Sequence, residues 1–306
     1  MTMSSIALLK QSSQNVTAFE HVGHSCDEVF KLSYNQQSFL FAHDLDREPL
    51  LSLPSLAALA ERLEPLGSYY WSEDAAAIGD GWGAGRSRHR GLADAVASIA
   101  GSSSLIMLRN VIHDPLFGSL FSGVVRQIVA LCGAPLRDDM LEARATILIA
   151  SPGRLTPYHA DLDTNFLMQI AGDKRFGVLG QTDRDVVPET EIEHLLAGEP
   201  SAMRHKPEFY DRATVHAFKP GQGIHVPCFA PHWAENGSEV SIALSLNFDL
   251  KSVARRARIC RVNRHLRRLG VVPSAPGTRL RRDALKSAIG GLSREAVARR
   301  FGRHIA

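Results

Sequence analysis

Apolar positions recur at three- and four-residue steps through the first half of this chain and at every second residue through much of the second, and the change falls near residue 144. In "PSLAALAERLEPLG" (54–67) and "GLADAVASIAG" (91–101) the spacing predicts helices. A third helix is predicted over "HDPLFGSLFSGVVRQIVALCG" (113–133), with Asp114 as N-cap and Pro115 in the first helical position. Between the last two, "SSSLIMLRNV" (102–111) reads as a strand. From "RATILIA" (144–150) onward come short strands, "NFLMQI", "KRFGVLG", "TVHAFK", "GIHVP" and "SIALSLNF", broken by Gly, Pro and Asp and interrupted by one helix, "PETEIEHLLAG" (188–198). Such a run predicts a mainly β fold, a sandwich or barrel with helices wrapped outside it. Within it, "TPYHADLDTNFLMQIAGDKRFGVLG" (156–180) reads as two strands that carry a histidine, aspartates, an asparagine and a lysine among apolar residues. Polar groups on a buried strand face need partners.

Composition adds a boundary. At 306 residues, 44% hydrophobic and 22% charged, the chain has the make-up of an ordinary globular protein, long enough for one large domain with an appendage. No apolar run approaches the ~20 residues of a membrane span, and "MTMSSIALLKQSSQN" holds too short an apolar patch for a signal peptide, so a cytoplasmic protein is expected. Cys26, Cys132, Cys228 and Cys260 lack CxxC spacing and point neither to a disulfide framework nor to a zinc ribbon. The net charge of +3 hides an asymmetry: residues 251–306 hold 16 of the 35 lysines and arginines against only Asp283 and Glu295, a net +14, which leaves −11 on the first 250 residues. We therefore divide the chain into a body, 1–250, and a basic helical extension, 251–306, which "GVVPSAPGTR" (270–279) splits into two helical patterns. The extension is expected to dimerise or pack on the body; an acidic protein or nucleic acid is the other partner its charge suits.

The chemistry starts with His159 and Asp161. Residues i and i+2 of an extended segment point the same way, so "HAD" presents an imidazole and a carboxylate to one point, two-thirds of a two-histidine, one-carboxylate site for Fe(II) with positions left open. The third ligand is expected from "KPGQGIHVPCFAPHWAENG" (219–237), which offers His225 and His232. His232, after Pro231 at a strand exit, is preferred, and His225 reads as a packed histidine. Cys228 would suit zinc or copper better, and Asp163 is the alternative to Asp161. In "SIALSLNF", Ile242, Leu244, Leu246 and Phe248 share a core face, whereas Ser241, Ala243, Ser245 and Asn247 form a wall of small residues suited to a small polar ligand. Asn247 lies 15 residues after His232, and Lys174 lies 15 after His159. A lysine entering a strand beside a metal site calls for an anion.

Taken together, T-P-x-H-x-D, N-F and Q-I-x-G-x-K-R in 156–175, with "PGQGIHVPCFAPHW" and "SLNF" further on, resemble the Jumonji C (cupin-like) Fe(II)/2-oxoglutarate oxygenases, especially the hypoxia-inducible-factor asparaginyl hydroxylase type. The resemblance spans roughly residues 145–250 and implies a double-stranded β-helix (cupin, jelly-roll) core. It implies Fe(II) on His159, Asp161 and His232, with Lys174 and Thr156 on the distal carboxylate of 2-oxoglutarate and Asn165 and Asn247 beside its metal-binding end. The implied activity uses O2, converts 2-oxoglutarate to succinate and hydroxylates a C–H bond of a protein or peptide side chain or of an amino-acid-like small molecule; demethylation is the secondary outcome. Thr156 stands three residues before His159, on the opposite face of a straight strand, so the chain must bend near Pro157. A tyrosine that the family adds to the cosubstrate pocket has no assigned position, Tyr69 and Tyr70 being the candidates, and the arginine other 2-oxoglutarate oxygenases use is absent from "SIALSLNF". Glycine-rich, basic "GWGAGRSRHRG" (81–91) is either a lid or a solvated loop, and "YYWSED" either lines the substrate mouth or packs. Against the enzyme stand a non-catalytic cupin-like sensor of metal or 2-oxoglutarate, a regulatory nucleic-acid-binding protein, and a zinc hydrolase, which lacks a general base.

Overall fold

Two antiparallel sheets face each other, and the chain alternates between them. A computed structural model describes residues 27–73, 91–198 and 203–291. The large sheet contains β1 (Phe39–Ala42), β2 (Tyr69–Ser72), β3 (Leu105–Leu108), β4 (Met140–Ala150), β6 (Thr164–Ala171), β9 (Gln222–Val226) and β11 (Ser241–Leu250), in the order β1-β9-β6-β11-β4-β3-β2. The small sheet contains β5 (Leu155–His159), β7 (Lys174–Val178), β8 (Thr214–Phe218) and β10 (His232–Asn236), in the order β5-β10-β7-β8. From β4 to β11 these eight strands give two interleaved four-stranded arrays, β4-β11-β6-β9 against β5-β10-β7-β8, which is the winding of a double-stranded β-helix. Helices α1 (Asp27–Ser33), α2 (Leu53–Leu63), α3 (Leu92–Ala97), α4 (Gly118–Cys132) and α5 (Ala134–Asp139) precede the barrel, α6 (Glu189–Leu196) lies between β7 and β8, and α7 (Lys251–Arg268) and α8 (Leu280–Gly291) follow it. Among the described residues no helix is long and apolar enough to cross a membrane.

Burial explains the sequence pattern. β6 is buried on nearly every residue, which is why "NFLMQI" shows no alternation: Phe166 and Met168 face the outer core under the helices, and Leu167 faces the barrel interior. That interior holds its own apolar cluster, including Leu167, Phe176, Val178, Ile224, Ala234 and Ala243. His225 belongs to the outer core, stacked on Phe166 with ring centroids 4.5 Å apart. The imidazole accepts the Asn35 backbone N–H at 2.9 Å and shares a 3.0 Å hydrogen bond with the Asn165 carbonyl, so it is a packed histidine, its pKa pushed down to about 3 by burial.

The strands read from sequence are present, and β1, β2, β5 and β10, which the pattern did not announce, join them. The third helix starts later than its cap signal: Asp114 caps the preceding turn, accepting the N–H groups of Leu116 and Phe117 and pairing with Arg62, and α4 proper begins at Gly118. Trp71 is packed in the outer core, and the 81–90 stretch, Cys26 and the last part of the basic extension lie outside the described residues. His232 opens β10 rather than closing a strand.

The extension returns onto the body. Arg256 forms two hydrogen bonds to Glu189 (2.7 and 2.8 Å) and Arg267 two to Glu193 (3.1 and 3.3 Å), so α7 is tied to α6 by charge-assisted pairs. In the small sheet, Gly177 leaves room for the Trp233 indole, next in sequence to His232, and a Cβ there would overlap that ring. Trp233 is also stacked on Tyr210, with ring centroids 5.2 Å apart. Gly177→Ala should therefore cost about 1–3 kcal/mol, read as a lower denaturant midpoint at unchanged slope; an unchanged midpoint would show that the indole can yield.

Candidate metal centre

His159 ends β5, Asp161 follows in the turn to β6, and His232 begins β10, directly opposite His159 across the β5–β10 ladder. Their potential ligand atoms all lie within 4.8 Å of one another. His232 Nε2 stands 3.7 Å from Asp161 Oδ2, and the two imidazole centroids are 4.2 Å apart. Each ring uses Nδ1 in the same way, toward the carbonyl two residues earlier: His159 to Pro157 at 2.7 Å and His232 to Ala230 at 2.9 Å. Such a bond fixes the tautomer with Nδ1 protonated and leaves Nε2 to act as a ligand atom. Burial, with the His159 charge adding to it and Asp161 opposing it, lowers the His232 pKa to about 4, so its ring is neutral at physiological pH. Two imidazoles and one carboxylate fit a divalent transition metal.

The connecting loop is tied to the same point. Phe229, in the left-handed region at φ 63°, donates its N–H to the Asp161 carbonyl at 2.8 Å, and Arg256 of α7 lies over its ring at 4.9 Å. A phenylalanine at positive φ is strained and persists only where its surroundings hold it. Asn35 holds the loop from the other side by accepting the Cys228 N–H at 2.9 Å. The buried Cys228 thiol is pushed up by desolvation and lies outside the three-residue cluster. Asp163 is outside it as well, bonded at 2.5 Å to Arg144, which also bridges to Asp249 at 2.8 Å. Its pKa is raised to about 7, chiefly by burial and then by Asp161, against the pull of Arg144.

Thr156 reaches the His159 face through a β-bulge. On β10, His232 and Ala234 are two residues apart and share a face, while their partners on β5, His159 and Thr156, are three apart. The extra residue, in the Pro157–Tyr158 stretch, is the bend that the odd spacing demands. Asn165 and Asn247 are cross-strand partners on β6 and β11, joined through Ser245: Asn165 Nδ2 donates to Ser245 Oγ at 2.5 Å, and Ser245 donates to Asn247 Oδ1 at 2.8 Å. Lys174 opens β7 opposite Asn236 of β10, four residues along from His232 and on the same strand face, so its backbone lies about 13 Å from that of the triad. Lys174 Nζ donates to Asn236 Oδ1 at 2.5 Å and to Ser241 Oγ at 3.1 Å and, among the described residues, has no carboxylate partner. Of the two tyrosines, Tyr70 lies on the cross-strand line Tyr70, Met107, Leu148, Ala243, which faces the barrel interior, whereas Tyr69 pairs with Leu108 of the outer core.

Asn236, Phe229 and Arg144 were not singled out from sequence, and Gln169 entered only as a letter of the Q-I-x-G-x-K-R motif, without a role. Asn236 had a signal, since it stands four residues after His232 and an even step keeps the strand face. Phe229 had none, because nothing in a lone phenylalanine announces a positive φ.

No family model and no curated protein matches the sequence. Among solved structures, it is similar to the ribosomal oxygenase YcfD of Escherichia coli, at 16% identity over 93% of this chain and 72% of that one, with a TM-score of 0.49. A second structure of YcfD, in complex with cobalt and 2-oxoglutarate, matches at 16% identity over 92% and 69%, with a TM-score of 0.49. A Pseudomonas putida prolyl-4-hydroxylase matches at 10% identity over 72% and 97%, with a TM-score of 0.39. An oxalate decarboxylase of Bacillus subtilis matches at 16% identity over 35% of this chain and only 22% of its own length, with a TM-score of 0.25. At these identities and scores, the site is read from this chain's own topology and residues.

Burial lowers the Lys174 pKa from 10.5 to about 8. Between those values the unfolded chain keeps a proton that the folded chain has shed, so stability rises with pH across that window. Measured against Lys174→Met, the wild type should gain about 1.4 kcal/mol per pH unit from about pH 8 to 10.5. A stability difference that does not vary with pH would mean that the ammonium is compensated or solvated.

Proposed function

We propose that this protein is an Fe(II)- and 2-oxoglutarate-dependent oxygenase that hydroxylates a C–H bond of a protein or peptide side chain or of an amino-acid-like small molecule. The observation that carries the reading is the Lys174 ammonium, 8% exposed and without a carboxylate partner among the described residues, inside the same barrel whose other end gathers His159, Asp161 and His232. A buried cation without a counter-charge is costly, and a dianionic ligand that spans from metal to lysine relieves that cost. A zinc hydrolase fits such a lysine less well.

Iron bound there would supply the redox chemistry that couples decarboxylation of 2-oxoglutarate to succinate with hydroxylation by O2. The chain's own residues hold and shield the reactants. His159 and His232 would ligate through Nε2, oriented by the Pro157 and Ala230 carbonyls, with Asp161 as the third ligand. Lys174 would pair with the distal carboxylate, and the bulge lets Thr156 serve the same ligand. Asn165 and Asn247, fixed by Ser245, would meet its metal-binding end. Phe176, stacked on His232 with centroids 5.2 Å apart, and the apolar middle of the barrel exclude water. The chain after Val178, which leads to α6, leaves from the triad end and would meet the substrate there. The free, buried thiols of Cys132, Cys228 and Cys260 suit a reducing, cytoplasmic setting.

We further propose a second copy as partner of α8. That helix buries Asp283, Lys286 and Gly290 and turns Leu280, Leu285 and Ile289 outward, 72%, 64% and 51% exposed. Arginines 279, 281 and 282 beside this stripe would repel their counterparts, so association should tighten as salt rises. In sedimentation, Leu285→Asp should give monomer where the wild type is dimeric; a monomeric wild type at all salt concentrations removes the proposal.

Anaerobic addition of 2-oxoglutarate to Fe(II)-loaded protein should give a visible charge-transfer band, and air should then yield succinate. His159→Ala and Asp161→Ala should lose both signals. Succinate formation unchanged in His159→Ala would exclude the triad, whereas a band without turnover on exposure to air would favour a sensor of 2-oxoglutarate.

A further inference from the structure

The far end of the barrel is more elaborate than a lone lysine. Four strands contribute to it: Gln169 from β6, Lys174 from β7, Asn236 from β10 and Ser241 from β11, all buried. The two N–H groups of Gln169 Nε2 are shared among three acceptors, the carbonyls of Ala171 and Gly172 at 2.6 and 3.0 Å and Ser241 Oγ at 2.9 Å. The two carbonyls fix which way this amide points. The neighbours of Ser241 Oγ are two donor-only groups, the Gln169 amide nitrogen and the Lys174 ammonium. Neither can accept the hydroxyl proton, which is left to donate elsewhere. Of the three Lys174 N–H groups, one goes to Asn236 and one to Ser241, so one also remains.

The cluster thus offers two donors, a hydroxyl and an ammonium, on atoms 3.1 Å apart and within reach of the two oxygens of one carboxylate. The closest acceptor to the ammonium is a neutral amide oxygen, Asn236 Oδ1 at 2.5 Å. An aspartate at that position would give Lys174 an internal counter-ion and remove the need for an external one.

We propose that Ser241 and Asn236 are specificity-determining residues of the cosubstrate site. Ser241 supplies the second hydrogen bond to the distal carboxylate, and Asn236 holds the Lys174 head in place while leaving its charge uncompensated, so that a 2-oxo acid must carry a second carboxylate to bind well. This inference rests on the reading of Lys174 given above and extends it to side chains that a metal-site motif does not include.

The test is calorimetric titration, without turnover, of Mn(II)-loaded protein with 2-oxoglutarate and with 2-oxopentanoate, which has the same chain length and keto-acid end but no distal carboxylate. Wild type should prefer 2-oxoglutarate by roughly tenfold or more. Asn236→Asp should abolish that preference, and Ser241→Ala should weaken 2-oxoglutarate roughly tenfold without moving 2-oxopentanoate. Mn(II) affinity should hold in both variants, which separates loss of the anion site from loss of the fold. If Asn236→Asp fails to fold, Ser241→Ala decides. Wild-type preference retained in both folded variants, or in Ser241→Ala alone in that case, overturns the inference and leaves the oxygenase reading intact. A wild type that binds the two acids alike overturns both, because Lys174 would then face no distal carboxylate.

Discussion

His159 and His232, far apart in sequence, lie opposite each other across the ladder between β5 and β10, and the candidate site depends on that pairing. The ladder fixes the distance between the two imidazoles, while short hydrogen bonds from Nδ1 to local carbonyls fix the rotation of each ring. Metal ligands need this kind of outer support, since a ring free to rotate offers its lone pair in many directions. The same ladder contains the bulge. Without the extra residue, Thr156 would lie on the opposite face, and a single slip of register would exchange every inward and outward residue of β5.

The barrel is polarised along its length. One end gathers the two histidines and Asp161, the other buries an ammonium among neutral oxygens, and apolar residues lie between. In the absence of ligand this arrangement opposes folding, because Lys174 is held in its charged form, at a cost in desolvation, at every pH below about 8. The large, well-packed outer core, with Phe166 and Phe248 under the helices, supplies the stability that tolerates it.

The basic extension is continuous with the site. Its first helix follows β11 directly, and Arg256 joins the Glu189 carboxylate on α6 to the ring of Phe229, whose backbone is bonded to Asp161. The strain at Phe229 is held by contacts from both sides. The 227–231 loop thus positions His232 through covalent continuity, through Asn35 and through the extension.

Much of the fold was legible because burial leaves a period in the sequence. Strands β4, β6 to β9 and β11, helices α2, α3, α4 and α6 and the break between α7 and α8 could be read that way, and "HAD" and Lys174 stood out as polar groups on buried faces. Assigning His232 rather than His225, and Asp161 rather than Asp163, took a family resemblance as well as spacing. Local pattern did not contain the rest. The order of strands in the two sheets, the bulge that turns Thr156 inward, the face that separates Tyr70 from Tyr69, and the convergence of Gln169, Asn236 and Ser241 on Lys174 all depend on which distant strands lie side by side. By itself the sequence determined which residues needed polar partners, because desolvation acts on each side chain where it stands. The tertiary structure alone decided which partners they found, because cross-strand pairing joins residues that share no local signal.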